Sequence, residues 1–416
     1  MKRYEYMNCK VGRPAFVIFL FAMLLLARDT LFTSVMLGFE TSQFLMLGGI
    51  CLVGAGFLFV HRKDLKALLT DSRMILILLS ALVLLLPMMI KGDWQMMYFS
   101  ILLGLIVAVF LTYFRSLEDV AKVYVVILTV LGVYSMLATY ILRILPDRGI
   151  FSVPVFFNSK DVMFHYFGLS FVSDSYVKTR NFGIFREPGV YQYFIILALF
   201  LNNYRINWSG PKPMWTINVL LGFTMLSTFA TGGVAELGLL VLVVFFEKKL
   251  YRDKRILWIA VGLVIALIIA IILIMIQKGA IYWELYGMLV YKFSPEADSS
   301  SERMEAILVN LDLFRRNPLV GRTVTEVLHS VSNNTSSTLV MFAMTGICGG
   351  LLHLASWVAL AWDRNRKLWA NAALLLLLLV SFNTQNLTAD VFLWLFPMMA
   401  LTERVVPLLE NRKKKV

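Results

Sequence analysis

Charged residues are scarce in this chain of 416 residues. Asp, Glu, Lys and Arg make up 16% of it, where about a quarter is usual in a soluble domain, and 59% of the residues are hydrophobic. The apolar residues form uninterrupted runs such as 256–276 and 368–380, where a soluble fold would show amphipathic periodicity. The composition therefore excludes a disordered chain and a soluble α/β enzyme, and it predicts an all-α, polytopic membrane protein.

Cysteine and histidine are also rare. The three cysteines lie in the basic N-terminus or within apolar runs, so no disulfide framework is expected. The four histidines are scattered, which argues against a dedicated zinc site. The sequence has no Gly-x-Gly-x-x-Gly, no Walker loop, no His-Glu-x-x-His and no Cys-x-x-Cys. We therefore expect no metal and no cofactor, and we do not expect this chain alone to drive transport with ATP.

The apolar runs predict about twelve membrane spans, at roughly 20 residues per crossing. They lie near residues 14–34, 40–60, 74–90, 95–114, 122–145, 189–206, 214–231, 233–247, 256–276, 336–360, 368–383 and 388–407. The net charge is +13, and most of the 39 Lys and Arg residues fall in short segments predicted to be inside. This placement indicates a membrane bounded by anionic lipid and not a nucleic acid partner. We predict one integral membrane domain over 1–416, with both termini cytoplasmic.

Two long segments, 146–188 and 277–335, are predicted to lie outside the membrane. Loops longer than about 15 residues usually carry a function. The second segment contains an expected amphipathic helix, which Ser299–Ser301 would cap and which would end at Asn317–Pro318. Its apolar stripe consists of Met304, Ile307, Leu308, Leu311 and Phe314. We expect this helix to lie on the outer membrane surface or to roof a cavity.

The first outer segment ends in a cluster of charged residues. Arg180, Arg186 and Glu187 precede Pro188-Gly189, which favours the start of a helix. Such charges at the mouth of a helix are costly to desolvate, so they require an anionic partner or each other. Arginine can hold a phosphate with two hydrogen bonds, and Glu187 can act as a base on a sugar hydroxyl. The alternative is that Arg186 and Glu187 only pair with each other among the lipid headgroups.

The second outer segment is basic as well. Arg303 stands near the start of its helix, Arg322 follows the end of that helix, and His329 and Asn334 come next. Cytoplasmic retention cannot explain basic groups on the outer face, which favours an external anionic ligand. The alternative is an interfacial helix whose basic face meets lipid phosphates. His329 would then be a solvated loop residue, and Asn334 a helix cap, a ligand or both.

Three stretches resemble the O-antigen polymerase/ligase family of bacterial envelope glycosyltransferases. They are Arg180-x-x-Gly-x-Phe-x-Glu-Pro-Gly189, Ser301-x-Arg303 followed by a helix and Asn317-Pro-Leu-x-Gly321, and Leu339 with Gly346-Ile-x-Gly349. The resemblance implies a GT-C-like glycosyltransferase architecture in the bacterial cytoplasmic (inner) membrane. It implies a metal-independent enzyme that uses undecaprenyl-pyrophosphate-linked oligosaccharide and needs no nucleotide sugar.

The resemblance also implies roles for individual residues. Arg180 and Arg303 would neutralise charge developing on the pyrophosphate leaving group, and Glu187 or His329 would deprotonate the acceptor hydroxyl. The residues expected to bind pyrophosphate or glycan are Arg186, Arg322, Gly183, Tyr191 and Asn334. The expected reaction is the polymerisation of repeat units into a surface polysaccharide such as O-antigen, capsule or exopolysaccharide.

Three other functions remain open at this point. A ligase would pass finished glycan to an acceptor, but ligases of the family commonly have a histidine where this chain has Thr335. A glycan flippase or other transporter should carry ionisable groups at mid-membrane, whereas the charge here lies at the outer surface. An adaptor that only binds membrane lipid would tolerate lysine at Arg180 and Arg303. The expected partners are the lipid-linked oligosaccharide, membrane lipid and a chain-length regulator where one is present.

Overall fold

The structure is a computed structural model that describes residues 13–37, 71–147, 152–157, 162–173, 180–255, 298–331 and 334–413, with single residues at 149, between 41 and 52 and between 258 and 272. The described residues are mostly helical. The predicted spans 40–60 and 256–276 lie almost entirely outside them, and a helix occupies each of the other predicted spans. The two closely spaced spans predicted within 214–247 correspond to two separate helices.

The helices are numbered in chain order. They are α1 (Arg13–Leu25), α2 (Ser72–Lys91), α3 (Met96–Leu111), α4 (Leu117–Leu137), α5 (Ile144–Asp147), α6 (Pro188–Tyr204), α7 (Pro211–Ser227), α8 (Thr231–Glu247), α9 (Asp298–Arg316), α10 (Val324–His329), α11 (Ser337–Ala361), α12 (Leu368–Asn383) and α13 (Val391–Lys413). Short π-helical turns occupy Phe32–Leu37 and Ala138–Leu142, the second of which extends α4, and Leu250–Arg252 forms a 3-10 turn.

Four helical stretches in the described part of the chain are long and apolar enough to cross a membrane. They are Ser72–Lys91, Leu117–Pro146, Ser337–Ala361 and Val391–Glu410. Shorter apolar helices cover Pro14–Leu25, Met96–Leu111 and Leu368–Asn383. The chain is thus a mostly helical protein of the membrane type.

Ordinary capping signals set where several helices begin and end. The Asp71 side chain accepts a hydrogen bond from the Arg73 amide at the start of α2, and Gly92 ends that helix in the left-handed conformation. The Ser116 hydroxyl caps α4 in the same way. Pro188 is the first residue of α6, as the Pro-Gly pair predicts, because proline needs no amide partner in the first turn.

The core is built around α6 and α13. Every residue from Val190 to Asn202 is buried, and so is every residue from Leu387 to Ala400. The two helices meet through aromatic contacts, such as that between Phe194 and Phe392, whose ring centroids are 5.9 Å apart. A helix that is apolar on all sides in this way is expected at the centre of a membrane bundle, where neighbouring helices and not lipid cover it.

The first outer segment contains a small antiparallel sheet, which the all-α prediction omitted. Its strands are β1 (Val155–Phe157), β2 (Met163–Tyr166) and β3 (Phe171–Ser173), in the order β1-β2-β3. The Phe171 amide donates to the Gly183 carbonyl at 2.8 Å, which joins β3 to the charged motif. Strands of three or four residues are too short for an alternating pattern to be recognised in the sequence.

A close backbone contact joins the second outer segment to α11. Gly346 breaks that helix, with φ 67° and ψ −163°. The stretch Asn317–Arg322 lies against the break: the Ile347 amide donates to the Pro318 carbonyl at 2.8 Å, and the Arg322 amide to the Ala343 carbonyl at 2.6 Å. A Cβ at Gly346 would lie 2.2 Å from the Leu319 carbonyl oxygen. Glycine is therefore required there by both its conformation and its lack of a side chain.

The lysine at the end of α2 completes this contact. The Lys91 ammonium donates to the Arg322 carbonyl at 2.8 Å and to the Met344 carbonyl, two residues before the break in α11. It also donates to the Tyr98 hydroxyl at 2.7 Å. Buried carbonyl oxygens need a hydrogen-bond donor, and lipid tails have none. The Lys91 ammonium supplies that donor here.

The predicted amphipathic helix is present as α9, which ends before Pro318 as predicted. It begins at Asp298, so Ser299–Ser301 lie inside it and do not cap it. The face that packs on the protein contains Ala306, Asn310 and Leu313. The apolar stripe predicted from the sequence is not the face that packs on the protein, because Met304, Ile307 and Leu308 are exposed. The helix therefore has a face toward α11 and a second apolar face that is free to meet lipid.

Candidate functional site

Several helix ends meet at the end of the bundle that the charge distribution predicts to be outside. The N-termini of α6, α8, α11 and α13 and the C-termini of α7 and α12 lie there, linked by hydrogen bonds between them. We call their shared side chains the polar layer, which consists of Gln192, Glu236, Ser337, Asn383 and Thr384. Helix N-termini present amides and the positive end of the helix dipole, which favour a negatively charged ligand, and here four N-termini meet two C-termini.

Arg186 is held at this end by Asp29, which follows α1. The Arg186 Nε lies 2.7 Å from the Asp29 carboxylate, whereas its Nη2 lies 3.6 Å from Glu187. The Arg186 backbone amide also donates to the Asp29 carbonyl at 3.0 Å. The Asp29 carboxylate raises the pKa of the Arg186 guanidinium above its ordinary value. The main partner of Arg186 is thus Asp29, and the pair with Glu187 considered from the sequence is the longer contact.

Glu187 and Arg180 flank the segment that carries Arg186. Glu187 is the residue before α6, where its carboxylate caps no amide and its side chain remains 39% exposed. Arg180 donates from Nε to the Thr228 carbonyl at 3.1 Å and from Nη2 to the Phe229 carbonyl at 3.2 Å. Phe229 has a φ of 48°, an unfavourable value for a residue with a side chain. Arg180 therefore stabilises the tight turn between α7 and α8.

Gly183 and Tyr191 lie inside the fold. Gly183 has a φ of 59°, and a Cβ there would lie 2.8 Å from the Tyr191 ring. The Tyr191 ring stacks on Phe185 with centroids 5.0 Å apart, and its hydroxyl lies 3.3 Å from the Ser135 hydroxyl. The glycine thus allows the close approach of a buried aromatic ring. Tyr191, which was expected to stack on a sugar, is only 1% exposed, so its contacts here are with the protein.

Arg303 is exposed on α9, and the positive charge of its guanidinium acts on the Glu236 carboxylate on α8. Arg180 binds the turn that leads into α8. The two arginines singled out by separate motifs therefore both act near the start of α8, Arg180 through hydrogen bonds and Arg303 through its charge.

The remaining predicted residues of the second outer segment have different surroundings. The Arg322 guanidinium lies 3.7 Å from Glu326, and its backbone belongs to the contact with α11. His329 is exposed at the end of α10. Asn334 is buried and exchanges amide hydrogen bonds of 2.8 and 3.2 Å with Asn310 on α9. The Asn334 amide also donates to the Val327 carbonyl at 2.9 Å, in the last turn of α10, whereas the residue that precedes α11 is Ser336.

None of the five residues of the polar layer is among the site residues selected from the sequence. Gln192 on α6 donates from Nε2 to Glu236 Oε1 and to the Thr384 hydroxyl, each at 3.3 Å. The second Glu236 oxygen, Oε2, has no hydrogen-bond partner within the described residues. The sequence signal for Glu236 is that it is a charged residue inside an apolar run. Its connection to Gln192 depends on how α6 and α8 pack, so it could not be found from the sequence.

Comparisons with known proteins were negative. No family model, no curated protein and no solved structure matches this chain. Among the described residues, no group of three or more His, Cys, Asp or Glu side chains is placed to hold a metal ion. The charged groups described at the site are the arginines and the carboxylates, and the helix ends add partial charges.

Proposed function

We propose that this protein is a metal-independent glycosyltransferase that polymerises undecaprenyl-pyrophosphate-linked repeat units into a surface polysaccharide. It would act at the outer face of the bacterial cytoplasmic membrane, with about twelve spans, a GT-C-like architecture and both termini inside. The observation that carries the proposal is that Arg180 binds the turn leading into α8, while the charge of Arg303, from a separate motif, acts on Glu236 near the start of the same helix.

The chemistry of this reaction fits such an arrangement. The acceptor hydroxyl attacks the anomeric carbon of the donor glycan, and the bond to the pyrophosphate oxygen breaks. Negative charge therefore develops on the pyrophosphate as it leaves. Arginine side chains and helix N-termini that are already in place stabilise that charge without reorganisation, which is commonly a large contribution to catalysis. Glu187 and His329 remain candidates for the base, since both are accessible at this end.

The test compares lysine substitutions at the two arginines. We expect Arg180→Lys and Arg303→Lys to lower polymer formation by about 10²–10³-fold, because a lysine cannot replace paired guanidinium contacts to a pyrophosphate. Arg315→Lys is the control, since Arg315 is also exposed on α9. The measurement is a gel of lipid-linked and surface glycan from cells that lack the protein and are complemented with each variant at equal protein level.

The outcomes separate the candidate functions. Single repeats in place of a long ladder, rescued by wild type and not by Arg303→Lys, support a polymerase. Full-length polymer that accumulates on its lipid carrier indicates a ligase, and single repeats retained on the inner leaflet indicate a flippase. Normal ladders in both lysine variants contradict the roles of Arg180 and Arg303 and favour an adaptor that only binds lipid.

A further inference from the structure

Glu236 is an unusual residue for its position. It lies on α8, only 4% exposed, in a part of the chain that is otherwise rich in apolar residues. A carboxylate in such surroundings is costly to keep unless it is paired or hydrogen-bonded. The neighbours of Glu236 must therefore stabilise its carboxylate.

The neighbours hold one carboxylate oxygen and leave the other buried without a partner among the described residues. Gln192 donates to Oε1 at 3.3 Å, and the Thr384 hydroxyl fixes the orientation of the same amide. Ser381, at the end of α12, acts on the carboxylate, but its hydroxyl and Oε2 are both buried and make no hydrogen bond among the described residues. A buried polar oxygen without a partner calls for an explanation, and a ligand hydroxyl is one.

Glu236 lies near the start of α8, at the end of the helix where Gln192 and Thr384 of the polar layer meet. The positive charge of Arg303 on α9, a residue proposed to contact the pyrophosphate, acts on the Glu236 carboxylate. Gly232 precedes it in the first turn of α8, where a Cβ would lie 3.1 Å from the Gln192 amide nitrogen. Helices α6 and α8 thus approach closely. Because Gln192 and Glu236 both lie on these helices, helix packing and not a loop fixes their relative position.

We infer that Glu236, oriented by Gln192, is the base that accepts the proton of the acceptor sugar hydroxyl. The inference rests on the proposed glycosyl transfer and assigns a residue that the sequence motifs do not contain. The hydroxyl proton passes to Oε2 while the sugar oxygen forms its bond to the anomeric carbon. The electron pair of the broken carbon–oxygen bond stays on the undecaprenyl pyrophosphate, next to the arginines. The proton on Glu236 then passes to water, which restores the carboxylate.

The experiment uses the purified full-length protein in lipid nanodiscs with undecaprenyl-pyrophosphate-linked repeat units extracted from the expressing cells. Product ladders and donor binding are measured for wild type, Glu236→Gln, Glu236→Ala and the control Glu305→Gln, an exposed acid on α9. We expect Glu236→Gln to bind the donor normally and to lose about 10²–10⁴-fold in rate, the usual contribution of a general base. Added formate should restore part of the rate of Glu236→Ala, because a small carboxylate can occupy the vacated space.

Each other outcome counts against the inference. A rate for Glu236→Gln within about threefold of Glu305→Gln excludes a base at this position. A loss of rate without rescue by formate, or together with a loss of donor binding, assigns Glu236 a structural or binding role. If wild type makes no polymer from an intact, bound donor, the proposed function itself fails. That result is distinct from failure of the Glu236 variants alone.

Discussion

Replacing Gly346 by alanine should undo the contact between α11 and the stretch that follows α9. The φ of 67° and ψ of −163° belong to a region that is almost restricted to glycine, and occupying it costs about 1–3 kcal/mol for other residues. The new Cβ would also lie 2.2 Å from the Leu319 carbonyl oxygen, so the backbone must separate. The hydrogen bonds of 2.8 Å from the Ile347 amide and 2.6 Å from the Arg322 amide would be lost. The combined destabilisation is about 2–6 kcal/mol.

The assay is equilibrium unfolding of the purified protein in mixed micelles, followed by tryptophan fluorescence. Gly238→Ala is the matched control, because Gly238 lies within α8 and no atom would come within 4 Å of its Cβ. We expect that control to stay within about 1 kcal/mol of wild type. If Gly346→Ala unfolds together with Gly238→Ala, the close backbone contact does not exist in the folded protein and the reasoning is refuted.

Three further experiments test other contacts by the same unfolding measurement. Lys91→Met should destabilise by about 1–3 kcal/mol, because it leaves two buried carbonyl oxygens without their donor; equal or greater stability would contradict that role. Gly183→Ala should cost about 1–3 kcal/mol through its positive φ and the nearby Tyr191 ring, and an unchanged transition would show that the turn relaxes freely. A double-mutant cycle of Asp29→Asn and Arg186→Gln should give a coupling of about 1–2 kcal/mol, since the arginine is partly exposed; additive effects would mean that the ion pair contributes nothing.

The sequence allowed the helices to be predicted far better than the contacts between them. A long apolar run directly indicates a helix that can span a membrane. The helices from α6 to α8 and from α11 to α13 therefore lie close to the residue ranges predicted from hydrophobicity. The end of α9 was predictable as well, because proline stops a helix at the preceding residue. The small sheet was not, since its strands are too short to show a period.

The charged residues of the site could be predicted from the sequence, but the partners that they contact could not. The arginines and Glu187 stand out because external charge beside an apolar run is costly. The main partner of Arg186 is Asp29, which lies more than a hundred residues away in sequence, so no local spacing could reveal it. The same holds for Gln192 and Glu236, which meet only because α6 and α8 pack side by side. Asn334 bonds both to the end of α10 and to Asn310 on α9, and its short side chain alone could not show which partners it would have.

The break in α11 also alters the electric field of the bundle. It leaves a short separate helix before Gly346, whose N-terminus at Ser337 lies in the polar layer. The negative end of that short dipole meets the Lys91 ammonium, so it is neutralised within the protein. The positive end, equivalent to roughly half an elementary charge, lies against the C-terminal end of α12, where the Ser337 hydroxyl donates to the Phe382 and Gln385 carbonyls and the Thr338 amide to Asn383 Oδ1. The break thus divides one long dipole into two shorter ones, and the protein places an opposite charge or dipole at each end of the first.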